Sequence, residues 1–355
     1  MRPVTRRLAA AVPVLLLPLV SAVPASAHER WFVEDTPGGD WGFFFSPLPL
    51  ALVTLVVAAT LVWRWVALLL STPELRVLRP LARLTPYVPR LLAIHLGVSL
   101  LALAATGDFL AHSLPLSSVP GGDAVGLLEA ALGVWFITGV RLRPAAVALA
   151  CLGPLALLAS GPVSVLETAH LLGVAVFLAV LPPSDGAFGR VELDLARLRP
   201  ALLALRLGAA VALVTLAFSE KFTNPELAHA TLDTYPALDV FDLVGIHLSQ
   251  NTFVAVAGSI ELLFGLLVLS GALPQVAVLV AAVPFNATLL LFGQTELVGH
   301  LPVYGIFLAL LVYGSDPLTA EAVRWLPWSS RSAGRRAASS LEGSPGGRVQ
   351  VAQDL

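Results

Sequence analysis

The sequence is poor in the residues that soluble proteins use for surface charge and for cross-linking. Only 12% of its 355 residues are Asp, Glu, Lys or Arg, whereas 57% are hydrophobic, and soluble domains carry about 25% charged residues. The one cysteine, Cys151, excludes a disulfide framework, a CxxC redox pair and a thiolate-rich metal site. A net charge of −2 offers no basic surplus for nucleic-acid phosphates. These absences favour a protein of the lipid bilayer with no nucleic-acid partner.

The amino terminus has the pattern of a secretory signal. Basic residues among the first seven positions precede an apolar run over 8–20, and the tripeptide Ala-Ser-Ala at 25–27 is typical of a signal-peptidase site. We therefore predict a signal peptide over 1–27. An extracytoplasmic segment over 28–47 follows, and its aromatic residues are expected to lie at the membrane interface.

Nine apolar runs approach the roughly 20 residues that a membrane helix needs. They are Leu48–Leu70, Leu91–Leu110, Ala124–Val140, Pro144–Ser160, Pro162–Leu181, Ala201–Phe218, Thr252–Ser270, Leu273–Phe292 and Leu297–Gly314. Arginines concentrate on alternate loops, and the opposite loops hold almost no basic residue except Arg30 and Lys221. The positive-inside rule therefore predicts a multi-pass cell-membrane protein with its mature amino terminus outside and its carboxyl terminus in the cytoplasm. The Ser-, Gly- and Arg-rich tail, 329–355, is predicted to be disordered.

The spans contain an internal duplication. The sequence EAALGVWFITG from Glu129 matches ELLFGLLVLSG from Glu261, and each copy is followed by a similar stretch that begins at His170 or His300. The interval from Glu to His is 41 residues in the first copy and 39 in the second. An all-α bundle is therefore predicted, with a leading helix at 48–70 and two parallel four-helix units at 90–182 and 200–314.

The second unit resembles the DoxX-like family of small four-helix membrane proteins. The resemblance rests on LRLG at the start of a helix that ends in SEKF, followed by a polar loop and SIELLFGLLVLSG. The first unit resembles the family more weakly, since Thr106-Gly107-Asp108 stands where the second has Glu220-Lys221. The resemblance implies a membrane-embedded bundle that, in some members, is associated with thiosulfate:quinone or other thiol and quinone redox systems.

Ionisable groups inside apolar spans are costly and are therefore candidate functional residues. The candidates for a catalytic or proton-transfer role are Glu129, Glu167, His170, Glu261, Glu296 and His300, and all are predicted in the outer half of the membrane. Three interpretations remain open: structural pairs of Glu129 with His170 and of Glu261 with His300, a proton or quinone site, and a metal centre.

Further candidates for cofactor binding are Glu220, Lys221 and Asn286. Lys221 is the only lysine in the sequence. It either extends its ammonium to the headgroup layer or forms a salt bridge with Glu261.

A free amino terminus at His28 would combine an α-amine with an imidazole, which is a chelate suited to copper when a second histidine completes it. Quinone and copper are accordingly the two cofactors that the sequence suggests.

The preferred function is a membrane subunit that supports extracytoplasmic redox or metal-linked metabolism together with a redox partner. A small-molecule or metal-ion transporter and a non-catalytic assembly partner of a membrane complex are the alternatives. Whether the chain is itself an enzyme stays open at this stage.

Overall fold

The computed structural model describes residues 29–33, 39–183, 190–243 and 245–327. This part of the chain is a helical bundle with one small β-hairpin, so the predicted helical class is confirmed. The predicted signal peptide, His28 and the predicted disordered tail lie outside the described residues.

The longer elements follow one another along the chain with short connections. They are α1 (Pro47–Leu69), α2 (Val88–Thr106), β1 (Asp108–Phe109), β2 (Ala111–Pro115), α3 (Gly122–Thr138), α4 (Leu142–Glu167), α5 (Ala169–Val180), α6 (Leu195–Leu216), α7 (Pro225–Thr234), α8 (Gln250–Ser270), α9 (Pro274–Ser315) and α10 (Ala320–Arg324). Shorter helical pieces cover Glu29–Trp31, Trp41–Phe44, Arg76–Tyr87, Leu116–Ser118, Ala217–Phe222, Pro236–Leu238 and Val240–Leu243. The strands β1 and β2 pair in an antiparallel arrangement.

Six helices in the described residues are long and apolar enough to cross a membrane, which makes the chain an integral membrane protein with several spans. The nine separate spans predicted from the sequence are not confirmed. Helix α3 has 17 residues and α5 has 12. Two of the predicted boundaries lie inside α4 and α9, at the non-helical residues Gly161 and Gly293.

Both interrupted helices fold back on themselves. The Gln275 side-chain nitrogen Nε2 donates to Ser315 Oγ over 2.8 Å, although the two residues are 40 positions apart. A straight helix would separate them by about 60 Å. Arg143 Nε likewise donates to the Leu181 carbonyl over 2.6 Å, which brings the start of α4 to the end of α5. The turns lie near Gly161 and Gly293, whose φ angles of 80° and 61° favour glycine.

The outward surface is apolar. Only 11% of the most hydrophobic stretch of α1 is buried. Leu61 and Leu68 on this helix are 66% and 74% exposed. Leu290 on α9 is 88% exposed. Large leucine side chains exposed along long apolar helices are expected to contact lipid.

Small residues bring the helices together. A Cβ on Gly97 in α2 would lie 2.5 Å from the Gly133 carbonyl oxygen in α3, and a Cβ on Gly133 would lie 2.7 Å from the Gly97 oxygen. Gly173 in α5 and Gly208 in α6 approach each other in the same way. Such close backbone contacts are the main source of packing energy between helices in lipid, where no hydrophobic force drives association.

Buried arginines stabilise the helix ends opposite the turns at Gly161 and Gly293. Arg206 is fully buried and donates to the Val323 carbonyl, and Arg64 donates to the Ser270 carbonyl at the end of α8. Carbonyl groups at helix carboxyl ends attract cations. In the loop before Arg76–Tyr87, burial raises the pKa of Glu74, which lies 3.5 Å from Arg324. We call this the arginine end of the bundle.

We expect Gly97→Ala to destabilise the protein by about 1–3 kcal/mol, because the added methyl overlaps the backbone of α3. Gly153→Ala in α4 is the matched control, since a Cβ there meets nothing within 4 Å and alanine favours a helix. Thermal unfolding in detergent, followed by circular dichroism, should show a lower midpoint for Gly97→Ala only. Equal midpoints for the two variants would contradict this packing.

Candidate functional site

The amino-terminal segment Glu29–Trp31 enters the bundle at the end that holds the turns at Gly161 and Gly293. Glu29 is only 2% exposed, and its backbone N–H donates to Glu220 Oε2 over 3.0 Å. The position at the membrane interface stays a prediction for this segment. Each of its three residues contacts a different group of the bundle.

The lysine cluster, which consists of Lys221, Glu29, Glu220 and Glu261, lies at the centre of this end. Lys221 Nζ is 3.0 Å from Glu261 Oε1, 3.3 Å from Glu29 Oε1 and 3.9 Å from Glu220 Oε2. The lysine is fully buried. Of the two positions predicted for this side chain, the structure therefore has the salt bridge with Glu261 rather than an extension to the headgroups. A buried ammonium requires such partners, since desolvation without them would cost several kcal/mol.

A second buried ion pair adjoins the lysine cluster. Arg30 pairs with Glu167 Oε1, which also accepts from Ser219 Oγ over 2.6 Å. Arg30 Nη2 donates to the Ser219 carbonyl over 3.2 Å. Ser219 precedes Glu220 in the sequence, so the two ion pairs share the π-helical turn Ala217–Phe222. This turn widens the end of α6 and directs consecutive polar residues inward.

The charges of these two groups do not balance. Within the part of the chain that the structure describes, four carboxylates, Glu29, Glu167, Glu220 and Glu261, face two permanent cations, Lys221 and Arg30. One oxygen each of Glu220 and Glu261 is buried without a hydrogen-bond partner among the described residues. Buried carboxylates in excess of cations are stable only when they hold protons or bind a further cation. The arrangement can therefore store and release protons.

The histidine cluster, which consists of His300, Glu296, Thr288 and Trp31, lies on the two halves of α9 and the amino-terminal segment. His300 Nδ1 is 3.3 Å from Glu296 Oε1, and Thr288 Oγ1 donates to the same oxygen over 2.5 Å. The Trp31 ring lies 5.2 Å from the His300 ring and 5.3 Å from the His112 ring. The carboxylate orients the imidazole, and the indole packs against it.

The first unit holds a smaller polar group. Glu129 Oε1 accepts from the Leu110 backbone N–H over 2.9 Å, and its other oxygen is buried without a hydrogen-bond partner among the described residues. Asp108 Oδ2 is 2.7 Å from His112 Nδ1. His170 is buried and hydrogen-bonds the backbone of Glu167.

Of the two pairings predicted from the sequence, that of Glu129 with His170 is wrong, because Glu129 accepts from the Leu110 backbone N–H. Glu261 forms its ion pair with Lys221, and His300 lies close enough to interact with it electrostatically. Sequence spacing gives the depth of each group in the membrane but does not tell which helix faces it. Glu29, Arg30 and Trp31 were missed as site residues. The sequence did mark the two cations of the site, because Arg30 and Lys221 are the exceptions to the positive-inside pattern.

One other candidate, Asn286, does not join the site. Asn286 is exposed, and its amide donates to the Ala282 carbonyl one turn earlier. His28 lies outside the described residues, and these residues contain no group of three or more His, Cys, Asp and Glu side chains that could hold a metal.

A cavity of about 10 Å³ adjoins Glu29 and Lys221, which is enough for about one water molecule. A much larger groove of about 830 Å³ runs between the ends of α2 and α3, and none of the candidate residues lines it.

The chain matches no family model, no curated protein and no solved structure in the comparisons made. The arguments about its function therefore rest on its own residues.

Replacing Lys221 by methionine should lower the free energy of unfolding by about 3–5 kcal/mol, because it leaves buried carboxylates without their cation. Adding Glu261→Gln to this variant should restore part of the loss, since one unpaired charge is removed. Glu226→Gln, on a side chain that is 77% exposed, is the control and should be neutral. Chemical unfolding in detergent measures all four proteins. A neutral Lys221→Met would contradict the buried pairing.

The Trp31 ring fits against Gly299, where a Cβ would lie 2.2 Å from its edge. We expect Gly299→Ala to displace the amino-terminal segment and to expose the peptide bond after Arg30 to trypsin. Mass spectrometry of timed digests measures the cleavage, and Gly153→Ala is the control. Unchanged protection in Gly299→Ala would show that the segment is held without Trp31.

Proposed function

We propose that the chain is a DoxX-like membrane protein in which a leading helix precedes two parallel four-helix units and nine segments cross the bilayer. The fold-back at Gly161 and Gly293 supports this count, since it divides α4–α5 and α9 into paired antiparallel segments. A helix rises about 1.5 Å per residue, so the short helix α3 can cross the bilayer when its axis is nearly parallel to the membrane normal.

Equivalent contacts in the two halves support the duplication. Leu110 follows Gly97 by 13 residues, and Lys221 follows Gly208 by 13 residues. Leu110 contacts Glu129 through its backbone N–H, whereas Lys221 contacts the equivalent Glu261 through its ammonium. The residue 13 positions after the glycine therefore contacts the equivalent glutamate in both units. Its donor is a backbone N–H in the first unit and a side-chain ammonium in the second.

The lysine and histidine clusters are assigned to the extracytoplasmic side and the arginine end to the cytoplasmic side. The distribution of arginines supports this orientation. The two basic residues that depart from the rule, Arg30 and Lys221, both form ion pairs with glutamates of the site, Arg30 partly buried and Lys221 fully buried. Their charges are therefore compensated by these carboxylates.

The function that the geometry supports best is proton exchange with a quinone during extracytoplasmic redox metabolism. Its main support is that Glu220 and Glu261 each have one buried oxygen with no hydrogen-bond partner among the described residues. Reduction of a quinone takes up two electrons and two protons. In this proposal a partner protein supplies the electrons, because the single cysteine allows no dithiol on this chain.

The roles of the residues follow from their contacts. Glu220 and Glu261 are the carboxyl groups that hold the exchangeable protons. The positive charge of Lys221 keeps one of these two carboxyl groups ionised. The imidazole of His300, oriented by Glu296, is the group that passes a proton to a bound quinone carbonyl. Arg30 and Glu167 hold the amino-terminal segment against the site.

A transporter is the second candidate, because the same unpartnered oxygens of Glu220 and Glu261 could take up a cation in place of protons. It predicts cation flux into liposomes that contain the purified protein. A quinone-linked subunit predicts none.

Binding of the short-chain quinone ubiquinone-1 to the full chain in nanodiscs tests the proposal. Calorimetry in two buffers of different ionisation enthalpy gives both the affinity and the number of protons exchanged. We expect Glu261→Gln to reduce the number of protons and His300→Ala to weaken binding about tenfold, which is about 1.4 kcal/mol. Glu226→Gln is the control. No binding, or binding that both variants leave unchanged, would overturn the proposal.

A further inference from the structure

A cavity of about 160 Å³ lies at the arginine end, away from the residues of the proposed proton site. The start of α2, the α3–α4 turn, the end of α5 and Val191 enclose it. Two arginines, Arg141 and Arg143, line it, and the other lining residues are leucines, prolines and this valine. No carboxylate is among them.

Both arginines have donors available. Arg141 is exposed, and within the described part of the chain it makes no hydrogen bond or ion pair. Arg143 uses Nε to bond the Leu181 carbonyl over 2.6 Å, and no described residue accepts from its two Nη groups. Two guanidinium groups with free N–H donors fit the oxygens of a phosphate group.

The position of Arg141 is held by an unusual backbone. Its φ angle of 51° lies in the left-handed region, which arginine rarely adopts. The turn is anchored on its other side by Arg90, which donates to the Thr138 carbonyl.

The remaining walls are apolar and rigid. Leu142, Leu178 and Leu181 line the cavity from the core of the bundle, and four prolines surround it. Proline-rich walls lose little conformational entropy when a ligand binds.

We propose that this cavity binds the headgroup of an anionic phospholipid, with its phosphate between Arg141 and Arg143. Charge complementarity and the location at the end of membrane-spanning helices carry the choice of a lipid over a free anion. The site is independent of the proton-exchange function.

Native mass spectrometry of the full chain in detergent tests the proposal with dioctanoyl phosphatidylglycerol and dioctanoyl phosphatidylcholine as probes. We expect tighter binding of phosphatidylglycerol. Arg141→Gln should weaken this binding about fivefold, as expected for about 1 kcal/mol per basic residue near an anionic lipid. Arg199→Gln, which removes an equal charge from an exposed position on α6, is the matched control and should have little effect.

Three results would overturn the proposal. Equal binding of the two lipids would remove the charge preference, and an equal loss in Arg199→Gln would indicate diffuse attraction. Displacement of the lipid by glycerol 1-phosphate at a similar concentration would indicate a site for a free phosphate. Arg141→Gln is the deciding variant, because Arg143→Gln would also remove the hydrogen bond to the Leu181 carbonyl and could fail to fold.

Discussion

A buried ammonium in an apolar bundle must be surrounded by carboxylates or other hydrogen-bond acceptors. The structure of one end of the protein depends on the contacts that Lys221 makes for this reason. Its Nζ lies within 4 Å of three carboxylates that come from the amino-terminal segment, its own π-helical turn and α8. Glu261 fixes the position of α8, and Glu29 holds the segment that covers the site. The contacts of this one charge therefore connect elements that are distant in the sequence.

The amino-terminal segment completes the site. Glu29 joins the lysine cluster, Arg30 joins the pair with Glu167, and Trp31 packs between His112 and His300. Three consecutive residues thus link the lysine cluster, the start of the second half of α9 and the hairpin β1–β2. Glu220 and Glu261 each keep one buried oxygen that has no hydrogen-bond partner among the described residues, and these two oxygens are the physical basis of the proposed proton exchange.

Much of the architecture was predictable because it depends on hydrophobic runs, whose lengths and breaks are visible in the sequence. The boundaries near Gly161 and Gly293 coincide with interruptions in long helices. The location of Glu129 and Glu261 within apolar helices was also predictable. The pairings were not, because rotation of each helix decides which side chain meets a buried glutamate. Leu110 offers only a backbone N–H where Lys221 offers an ammonium. Asn286 shows the same difficulty, since it faces outward and bonds its own helix.

The most direct test of the central claim uses the fact that Lys221 is the only lysine in the chain. Protein labelled with ¹⁵N at lysine side chains has one Nζ nucleus, so one resonance in the NMR spectrum reports the state of the cluster. The account predicts an ammonium signal at neutral pH whose hydrogens exchange slowly with water and which changes in the Glu261→Gln variant. A neutral amine, or an ammonium in fast exchange that is insensitive to Glu261→Gln, would contradict a buried, carboxylate-paired lysine.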